Sequence, residues 1–447
     1  MNTIPVTFQA AIEPDAPELL VIGGGPAGFP AAVCAARRGI RTMIAERNGA
    51  LGGMATAGLV GPFMTCSSPD GKRQLIRGFF EEFVRRMERA GGAIHPMRCR
   101  AGSSYAGYRV AGHSNVTPFN PEIFKREAEA CCLEHNVKLL YHAVCVGVAR
   151  SGDGRRLTGA WLAVKGGIRF IPAQFIIDAT GDADVAAAAG VPTVKDAEPQ
   201  PASLFFTIDG VDRARFDRML NDDGPNRLCF EAEVAAARER GEFPIPRRYV
   251  ALYESSDGTF RVNMSRLLNV DGTDPAQVTA AEIEGRRQIE IILNFLRKRI
   301  PGCGNIRLLT SACDLGVRES RRIVGDFVFT EESIRSGERP ADTIALCSNS
   351  IDCHFGNDVR YEPAGEPYGL PYRMLQPHGV DNLLVAGRCV SCSHLAQAAI
   401  RVMPPCFAMG QAAGNAAALA IRDECAASGV DISRLRENLA GEDVPLE

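Results

Sequence analysis

The segment AGRCVSCSHLAQAAIRVMPPC, residues 386–406, holds the side chains with the most evident chemical potential. Cys389 and Cys392 have the C-x-x-C spacing of metal knuckles and redox disulfides, and His394 follows them. The segment comes after the apolar run NLLVA and leads into a stretch of mostly small residues. Three interpretations are open: a metal site, a thiol switch, or the floor of a cofactor pocket.

The first two interpretations are not favoured. Structural zinc sites have four ligands, whereas the two cysteines and His394 supply three, so a fourth would have to come from Cys353 or His354. A redox disulfide would need a thioredoxin-like context, which is absent from the sequence. We therefore predict no metal and interpret Cys389 and Cys392 as buried thiols. For His394, a structural role and a proton-transfer role remain equally open.

A second chemical pattern lies in ELLVIGGGPAGFPAAVCAARRGIRTMIAERN. Gly23, Gly25 and Gly28 form G-x-G-x-x-G between an apolar strand and a helix, and a second strand ends at Glu46. The first glycine permits a tight turn, the second lets the backbone approach a pyrophosphate, and the third lets helix and strand pack closely. Glu46 can accept hydrogen bonds from a ribose, and the helix N-terminus favours phosphate. This order predicts dinucleotide binding without distinguishing FAD from NAD.

The segments that follow make this distinction. An NAD domain would continue into another helix and strand, but here the glycine-rich stretch RNGALGGMATAGLVGPFMTC comes next. NPEIFKREAEACCLEHN predicts a helix with Asn120 as N-cap and Pro121 at its first position. A strand, VKLLYHA, and three short strands with turns at SGDG and KGG follow. The next strand ends in Ala179, Thr180 and Gly181.

With these segments in this order, the chain resembles the FAD-dependent oxidoreductases, a family of two-dinucleotide-binding-domain flavoproteins. LGGMATAGLVGPFM, GVRESRRIVGDFVFTEE, PYRMLQPHGVDNLLVAGRCVS and IRVMPPCFAMGQAAGNAAALA carry the resemblance, which spans nearly the whole chain. It implies FAD, which we expect to be noncovalently bound. The expected cofactor-binding residues are Gly23, Gly25, Pro26, Ala27, Gly28, Glu46, Arg47, Gly52, Gly53, Met54, Ala55, Thr56, Val144, Ala179, Thr180, Gly181, Gly387, Arg388, Val402 and Met403. Many related flavoproteins have an aspartate where Arg388 stands.

The predicted fold class is α/β: a Rossmann-like FAD-binding domain with a parallel sheet and a three-strand meander, plus an inserted mixed α+β substrate domain. We expect a loose leader at 1–17, a discontinuous FAD domain at 18–195 and 369–428, a substrate domain at 196–368, and a C-terminal helix with a frayed tail at 429–447. In the substrate domain, a long helix should start at Asp274.

Composition limits the partners. The 447 residues are 46% hydrophobic and carry a net charge of −3, which favours neither nucleic acid nor a membrane surface. No apolar run has the length of a membrane span. The 15 cysteines are an odd number, and many lie in apolar runs, which indicates free thiols in a reducing cytoplasm. We expect a cytoplasmic protein that acts on a small molecule.

The leading functional hypothesis is a dehydrogenase that moves a hydride from a metabolite C–H bond to flavin, with reoxidation by an unidentified external acceptor. His394 would take the companion proton, and Arg401, which the resemblance places beside the isoalloxazine, would orient substrate or support reduced flavin. Alternatives are a reductase of an activated double bond and a catalytically inactive flavin-binding assembly or regulatory protein. Arg318, Arg321 and Arg322 are interpreted as helix-borne ion pairs, or alternatively as a carboxylate or phosphate clamp.

Overall fold

The structure is a computed structural model that describes residues 7, 9–109, 113, 115–221, 229–356 and 358–447. Its strands are β1 (Ala10–Ile12), β2 (Leu19–Ile22), β3 (Thr42–Glu46), β4 (Lys138–Tyr141), β5 (Val144–Arg150), β6 (Leu157–Val164), β7 (Gly167–Pro172), β8 (Phe175–Asp178), β9 (Thr193–Val194), β10 (Phe206–Asp209), β11 (Leu252–Glu254), β12 (Phe260–Val262), β13 (Arg307–Ser311), β14 (Arg322–Ile323), β15 (Thr343–Cys347), β16 (Ile351–Phe355), β17 (Asp358–Glu362), β18 (Tyr368–Pro371) and β19 (Leu383–Val385). Its α-helices are α1 (Gly28–Arg37), α2 (Phe79–Arg89), α3 (Pro121–Glu134), α4 (Asp184–Ala188), α5 (Arg213–Asn221), α6 (Glu231–Glu239), α7 (Pro275–Arg299), α8 (Glu331–Ser336), α9 (His394–Ile400), α10 (Met403–Arg422) and α11 (Ile432–Gly441).

A parallel sheet organises the first domain. Its strand order is β19-β8-β2-β3-β4, and every neighbouring pair is parallel. Strands β2, β3, β8 and β19 are buried along their whole length, as expected of strands covered on both faces. Helix α1 connects β2 to β3, so the predicted Rossmann-like fold is confirmed.

Helix α10 packs unusually close to α1. A Cβ added at Gly410 would overlap the carbonyl oxygen of Ala27, and one added at Gly414 would overlap that of Ala31. The small residues of α10 therefore let its backbone lie against α1, which brings the start of α10 close to the glycine loop after β2.

The N-terminal segment differs from the expected loose leader. Within it, Ala10–Ile12 forms β1, which pairs in parallel with β7 at the edge of the meander, and Glu13 N–H donates to Phe170 O at 2.9 Å. An edge strand presents unpaired backbone groups, and here the leader satisfies them. The meander is thus extended to a four-stranded sheet of order β1-β7-β6-β5.

The second domain has its own hydrophobic core, which spans residues 202–315 and is built on the sheet β11-β12-β10-β13 and on helix α7. Asp274 caps α7 as predicted, accepting from the N–H groups of Ala276 and Gln277. Residues between Phe329 and Tyr368, which we expected in this domain, pack instead with the core of the first domain. Strand β15 pairs with β18, and both lie against helices of the first domain.

The C-terminal tail is docked, where a frayed end was expected. The carboxylate of Glu442 accepts from Gln411 Nε2 at 2.8 Å, Asn415 Nδ2 at 3.0 Å and Arg38 Nη2 at 2.6 Å, and Val444 is buried. Within the described ranges, no helix combines the length and apolarity needed to cross a membrane.

Candidate active site

A cleft lies where β2, β3, β8 and β19 end at the same edge of the sheet. This is the position at which open α/β sheets bind ligands. The predicted cofactor residues that line it are Gly23, Gly25, Pro26, Ala27, Glu46, Arg47, Gly53, Met54, Val144, Ala179, Thr180, Gly181, Gly387, Arg388 and Met403, and Arg401 joins them. The structure therefore brings together segments that lie up to several hundred residues apart in the sequence.

The three fingerprint glycines have distinct surroundings. Gly23 has φ 99°, and a Cβ there would clash with the backbone of Ala179, so this position needs glycine for the turn. A Cβ at Gly28 would overlap the carbonyl oxygen of Gly23, which shows that this glycine serves helix–strand packing. At Gly25 a Cβ would have one neighbour within 4 Å, Gly53 Cα at 4.0 Å, and would project into the cleft. Gly25 thus leaves room for a ligand to approach the backbone.

Glu46 is a buried carboxylate that fixes the loops around it. Its Oε2 accepts from Gly24 N–H at 2.6 Å and its Oε1 from Asn48 N–H at 2.8 Å. Burial raises the pKa of Glu46, and these hydrogen bonds oppose that effect. The residue lines the cleft where a ribose-binding acid is expected.

Arg388 provides a largely buried cation in the cleft. Its Nη2 donates to Asp182 Oδ1 at 2.8 Å, while its buried Nε has no hydrogen-bond partner in the described part of the chain. Burial would lower the pKa of Arg388, but Asp182 holds it above its ordinary value. A permanent cation with an unused donor, in the same cleft as Gly25, fits a pyrophosphate.

Some predicted cofactor residues do not line the cleft. Thr56 Oγ1 donates to Leu51 O at 2.8 Å, and a Cβ at Gly52 would meet Thr56 and Phe124, so these residues shape the loop behind the cleft. Val402 precedes α10 as its N-cap residue. The predicted residues outside the lining are Gly28, Gly52, Ala55, Thr56 and Val402.

The sequence analysis missed Asp314, which comes from the second domain and closes one side of the cleft. Its Oδ2 accepts from Arg47 Nη2 at 2.8 Å and Asn48 Nδ2 at 2.9 Å, and its N–H donates to Ala57 O at 3.2 Å. No local motif marks this residue, so only the fold could identify it. The other lining residues that were missed are Ala45, Asn48, Ala143, Cys145, Asp184, Ala386 and Cys406.

His394, at the start of α9, already has a partner at each ring nitrogen. Nδ1 lies 2.8 Å from Glu319 Oε1, and Nε2 lies 3.2 Å from Cys353 Sγ. Hydrogen bonds to Cys353 and Glu319 raise the pKa of His394 to about 10, so it is protonated at neutral pH. This geometry favours a positioning role for His394.

Two groups of residues could hold a metal together with His394: the cysteines of the C-x-x-C motif, and the carboxylates of Asp196 and Glu319. Cys389 and Cys392 are buried in separate hydrophobic clusters. Ligand atoms of Asp196, Glu319 and His394 do lie within 4.8 Å of one another. However, the guanidinium of Arg322 donates to both carboxylates, at 2.6 Å to Asp196, and so supplies the cation that this cluster needs.

His354 and Asp352, on β16, form a second histidine–carboxylate pair. His354 Nε2 lies 3.3 Å from Asp352 Oδ2, and its buried Nδ1 has no hydrogen-bond partner among the described residues. Burial and the charge of Arg318 lower the pKa of His354 to about 3, so its imidazole is neutral. Arg401 Nη2 donates to Asp352 O at 3.1 Å, which connects this pair to the wall of the cleft.

Comparison with known proteins agrees with the geometry of the cleft. Residues 18–439 match the model of a family described as FAD dependent oxidoreductase. The chain belongs to this family. It is therefore an FAD-dependent oxidoreductase, and its cofactor is FAD. A search of the curated proteins found no match.

Solved structures similar to this FAD-dependent oxidoreductase have low sequence identity to it. A geranylgeranyl bacteriochlorophyll reductase-like protein from Thermoplasma acidophilum is 14% identical, with a TM-score of 0.50 over 97% of this chain and 88% of that chain. An L-proline dehydrogenase from P. horikoshii is 13% identical, with a TM-score of 0.46 over 97% of this chain and 100% of that chain. The similarity to the first of these structures concerns the fold alone.

Proposed function

We propose that this FAD-dependent oxidoreductase is a dehydrogenase of a small metabolite. Bound FAD would accept a hydride from a substrate C–H bond, and an external acceptor would later remove the electrons. The observation that carries the proposal is the neutral, oriented imidazole of His354, which is linked through Asp352 to Arg401 at the wall of the cleft. A positioned base of this kind takes the proton that a substrate loses together with its hydride.

The residues of the cleft have complementary roles in holding FAD. Gly25 leaves space for the pyrophosphate, and Arg388 supplies a donor and a charge to it. Glu46 accepts hydrogen bonds from ribose hydroxyls, and Asp314 braces Arg47 on the adjoining wall.

His354 would take the substrate proton at Nδ1, since Asp352 holds the opposite side of the ring. The sequence analysis expected His394 to take this proton. Both of its ring nitrogens are engaged, so we propose instead that His394 positions Glu319 and Cys353. Arg401 remains the residue proposed to orient the substrate, because it contacts both Gln200 and the backbone of Asp352.

An anaerobic screen tests the function directly. The oxidised holoenzyme is mixed with individual metabolites, and loss of flavin absorbance is recorded, with dithionite as the positive control for reducible flavin. At least one C–H donor should bleach the flavin at a saturable rate. If dithionite reduces the flavin but no metabolite does, the dehydrogenase proposal is wrong and the inactive flavin-binding alternative gains support.

A further inference from the structure

We propose that Cys353, His394 and Glu319 form an activated thiol, and that its sulfur is a site at which hydrogen peroxide reversibly oxidises the protein. The three residues come from separate segments: Cys353 lies on β16, His394 begins α9, and Glu319 precedes β14. Cys353 takes no part in the proposed hydride and proton transfers, so the site stands independently of the dehydrogenase function.

The distances within this group are those of a nucleophile, a base and an orienting carboxylate. Cys353 Sγ lies 3.2 Å from His394 Nε2, and His394 Nδ1 lies 2.8 Å from Glu319 Oε1. A nucleophile within hydrogen-bond reach of a base, which a third group holds in place, is the general arrangement of side chains that form covalent bonds to a reactant. The geometry therefore singles out Cys353 as a nucleophilic thiol.

The carboxylate determines where the ring carries its protons. A carboxylate that pairs with Arg322 accepts hydrogen bonds and donates none, so His394 Nδ1 donates to Glu319. Because His394 is protonated at neutral pH, Nε2 donates as well, and the sulfur of Cys353 accepts. A neighbouring imidazolium favours the thiolate over the thiol, and the thiolate is the reactive form of cysteine.

The charges that face the ring come from two further segments. Asp196 Oδ2 lies 3.4 Å from His394 Nδ1, and Arg322 pairs with both Asp196 and Glu319. The segment GVRESRR, which supplies Glu319 and Arg322, is extended rather than helical, so the expected ion pair of Arg322 forms without the expected helix. Arg322 and the imidazolium together match the two carboxylates.

A further cation lies on the β16 side of the sulfur. Arg401 Nη2 donates to Asp352 O at 3.1 Å, beside Cys353 in the strand. Burial lowers the pKa of Arg401, and the negative charges of Asp352 and Cys353 oppose that effect. The other titratable side chains of β16, those of Asp352 and His354, pair with each other. A negative sulfur would thus have Arg401 as well as His394 to stabilise it.

Two cysteines that are buried to a similar degree show the contrast. Cys392 Sγ donates to Val390 O and Cys406 Sγ donates to Arg401 O, both at 3.5 Å. Burial raises the pKa of both thiols to about 12, so they stay neutral and unreactive. Cys353 differs from them in its imidazolium partner and not in its exposure, which is 2% against 3% and 6%.

The surroundings favour a small and uncharged oxidant. Burial of Cys353 disfavours bulky reagents, while the side chain of His394 keeps 27% of its accessible surface and borders solvent. A cavity lies next to the carboxylates that flank Nδ1. Among the residues that line it are Lys195, Asp196, Asp271 and Glu319. Three carboxylates against one ammonium disfavour an anion. Hydrogen peroxide is small and neutral, and it converts thiolates to sulfenic acids.

The oxidation needs no reactant besides peroxide. The thiolate of Cys353 attacks one peroxide oxygen, so that an S–O bond forms and the O–O bond breaks. The sulfur is oxidised by two electrons, and the departing hydroxide takes the Nε2 proton of His394 and leaves as water. Two equivalents of a small thiol reverse the step, because they return the sulfenic acid to a thiol and form a disulfide and water.

The test treats the oxidised holoenzyme with hydrogen peroxide, traps sulfenic acid with dimedone and measures the label on each cysteine by peptide mass spectrometry. Cys353 should be labelled first, well before the equally buried Cys392 and the exposed Cys313, and dithiothreitol added before dimedone should abolish the label. His394→Gln should slow labelling of Cys353 about tenfold, because the thiolate fraction at neutral pH falls without a neighbouring cation. His378→Gln changes an exposed histidine that also pairs with a carboxylate, and it should be labelled as the parent is.

An unlabelled Cys353, labelling of Cys392 at the same rate, or labelling of Cys353 that His394→Gln leaves unchanged would each overturn the proposal. If His394→Gln fails to fold, the ionisation of the sulfur is measured directly. The ultraviolet difference spectrum between the parent and Cys353→Ser at neutral pH should contain the absorbance of one thiolate. A difference spectrum without that absorbance shows a neutral thiol and refutes the site.

Discussion

The FAD cleft and the pair of His354 and Asp352 on β16 are built differently. The cleft is formed largely by backbone and small residues at the ends of parallel strands, with Gly25 facing its open space. The pair is held by polar side chains from distant segments, since Arg401 Nη2 donates to Asp352 O at 3.1 Å and Gln200 Oε1 accepts from His354 N–H at 3.3 Å. The cleft is thus set by strand order and glycine spacing, whereas the pair depends on how distant segments meet.

The largest effect should come from filling the cleft. In Gly25→Val the side chain would occupy the space that faces the cleft, so we expect a folded protein that no longer retains FAD. FAD released by denaturation is measured by absorbance and mass. Gly304→Val is the control, because a Cβ at that exposed position meets nothing within 4 Å. A folded Gly25→Val protein with full flavin occupancy would contradict the assignment of this backbone to the pyrophosphate.

The sequence predicted the cleft because its determinants are local. Strand, glycine turn, helix and terminal Glu46 occur within one short segment, and each constrains the backbone on its own. Asp314 could not be assigned in this way, because its role depends on contacts with Arg47 and Asn48 of the first domain. The domain bounds stay a prediction; buried residues between Phe329 and Tyr368 pack with the core of the first domain, and apolar strands carry no mark of the core they will join.

The pair of His354 and Asp352 is tested most strongly by exchanging its histidine. His354→Gln should slow flavin reduction by roughly 10²–10⁴-fold once a substrate is known, because a positioned proton acceptor is lost. The matched variant His394→Gln removes a histidine whose ring nitrogens are engaged by Glu319 and Cys353, and it should slow reduction less. Single-turnover stopped-flow absorbance measures both rates. The reverse order would return the acid–base role to His394.

A pH titration sharpens the contrast between the two histidines. The pKa of His394 is raised from 6.5 to about 10 by hydrogen bonds to Cys353 and Glu319. Its contribution to folding stability is therefore fully present below pH 6.5 and is lost as pH rises through 10. The difference in unfolding free energy between the parent and His394→Gln, measured in urea at several pH values, should shrink over that range. A difference independent of pH would mean that the imidazole is neutral in the folded protein.

The smallest effect on FAD binding is expected from changing Asp314, the residue of the second domain that closes one side of the cleft. Asp314→Asn removes the ion pair with Arg47, whose side chain is 53% exposed, so water screens much of the interaction. Exposed pairs contribute about 0.2–1 kcal/mol, which corresponds to at most about a fivefold rise in the Kd for FAD. The asparagine can still accept from Asn48, so the loop should keep its position. Asp209→Asn, which breaks an exposed pair with Arg307 in the same domain, is the control and should leave the Kd unchanged. A much larger loss on changing Asp314 would mean that FAD binding depends on side chains from the second domain, and the description of the cleft as formed largely by backbone and small residues would no longer hold.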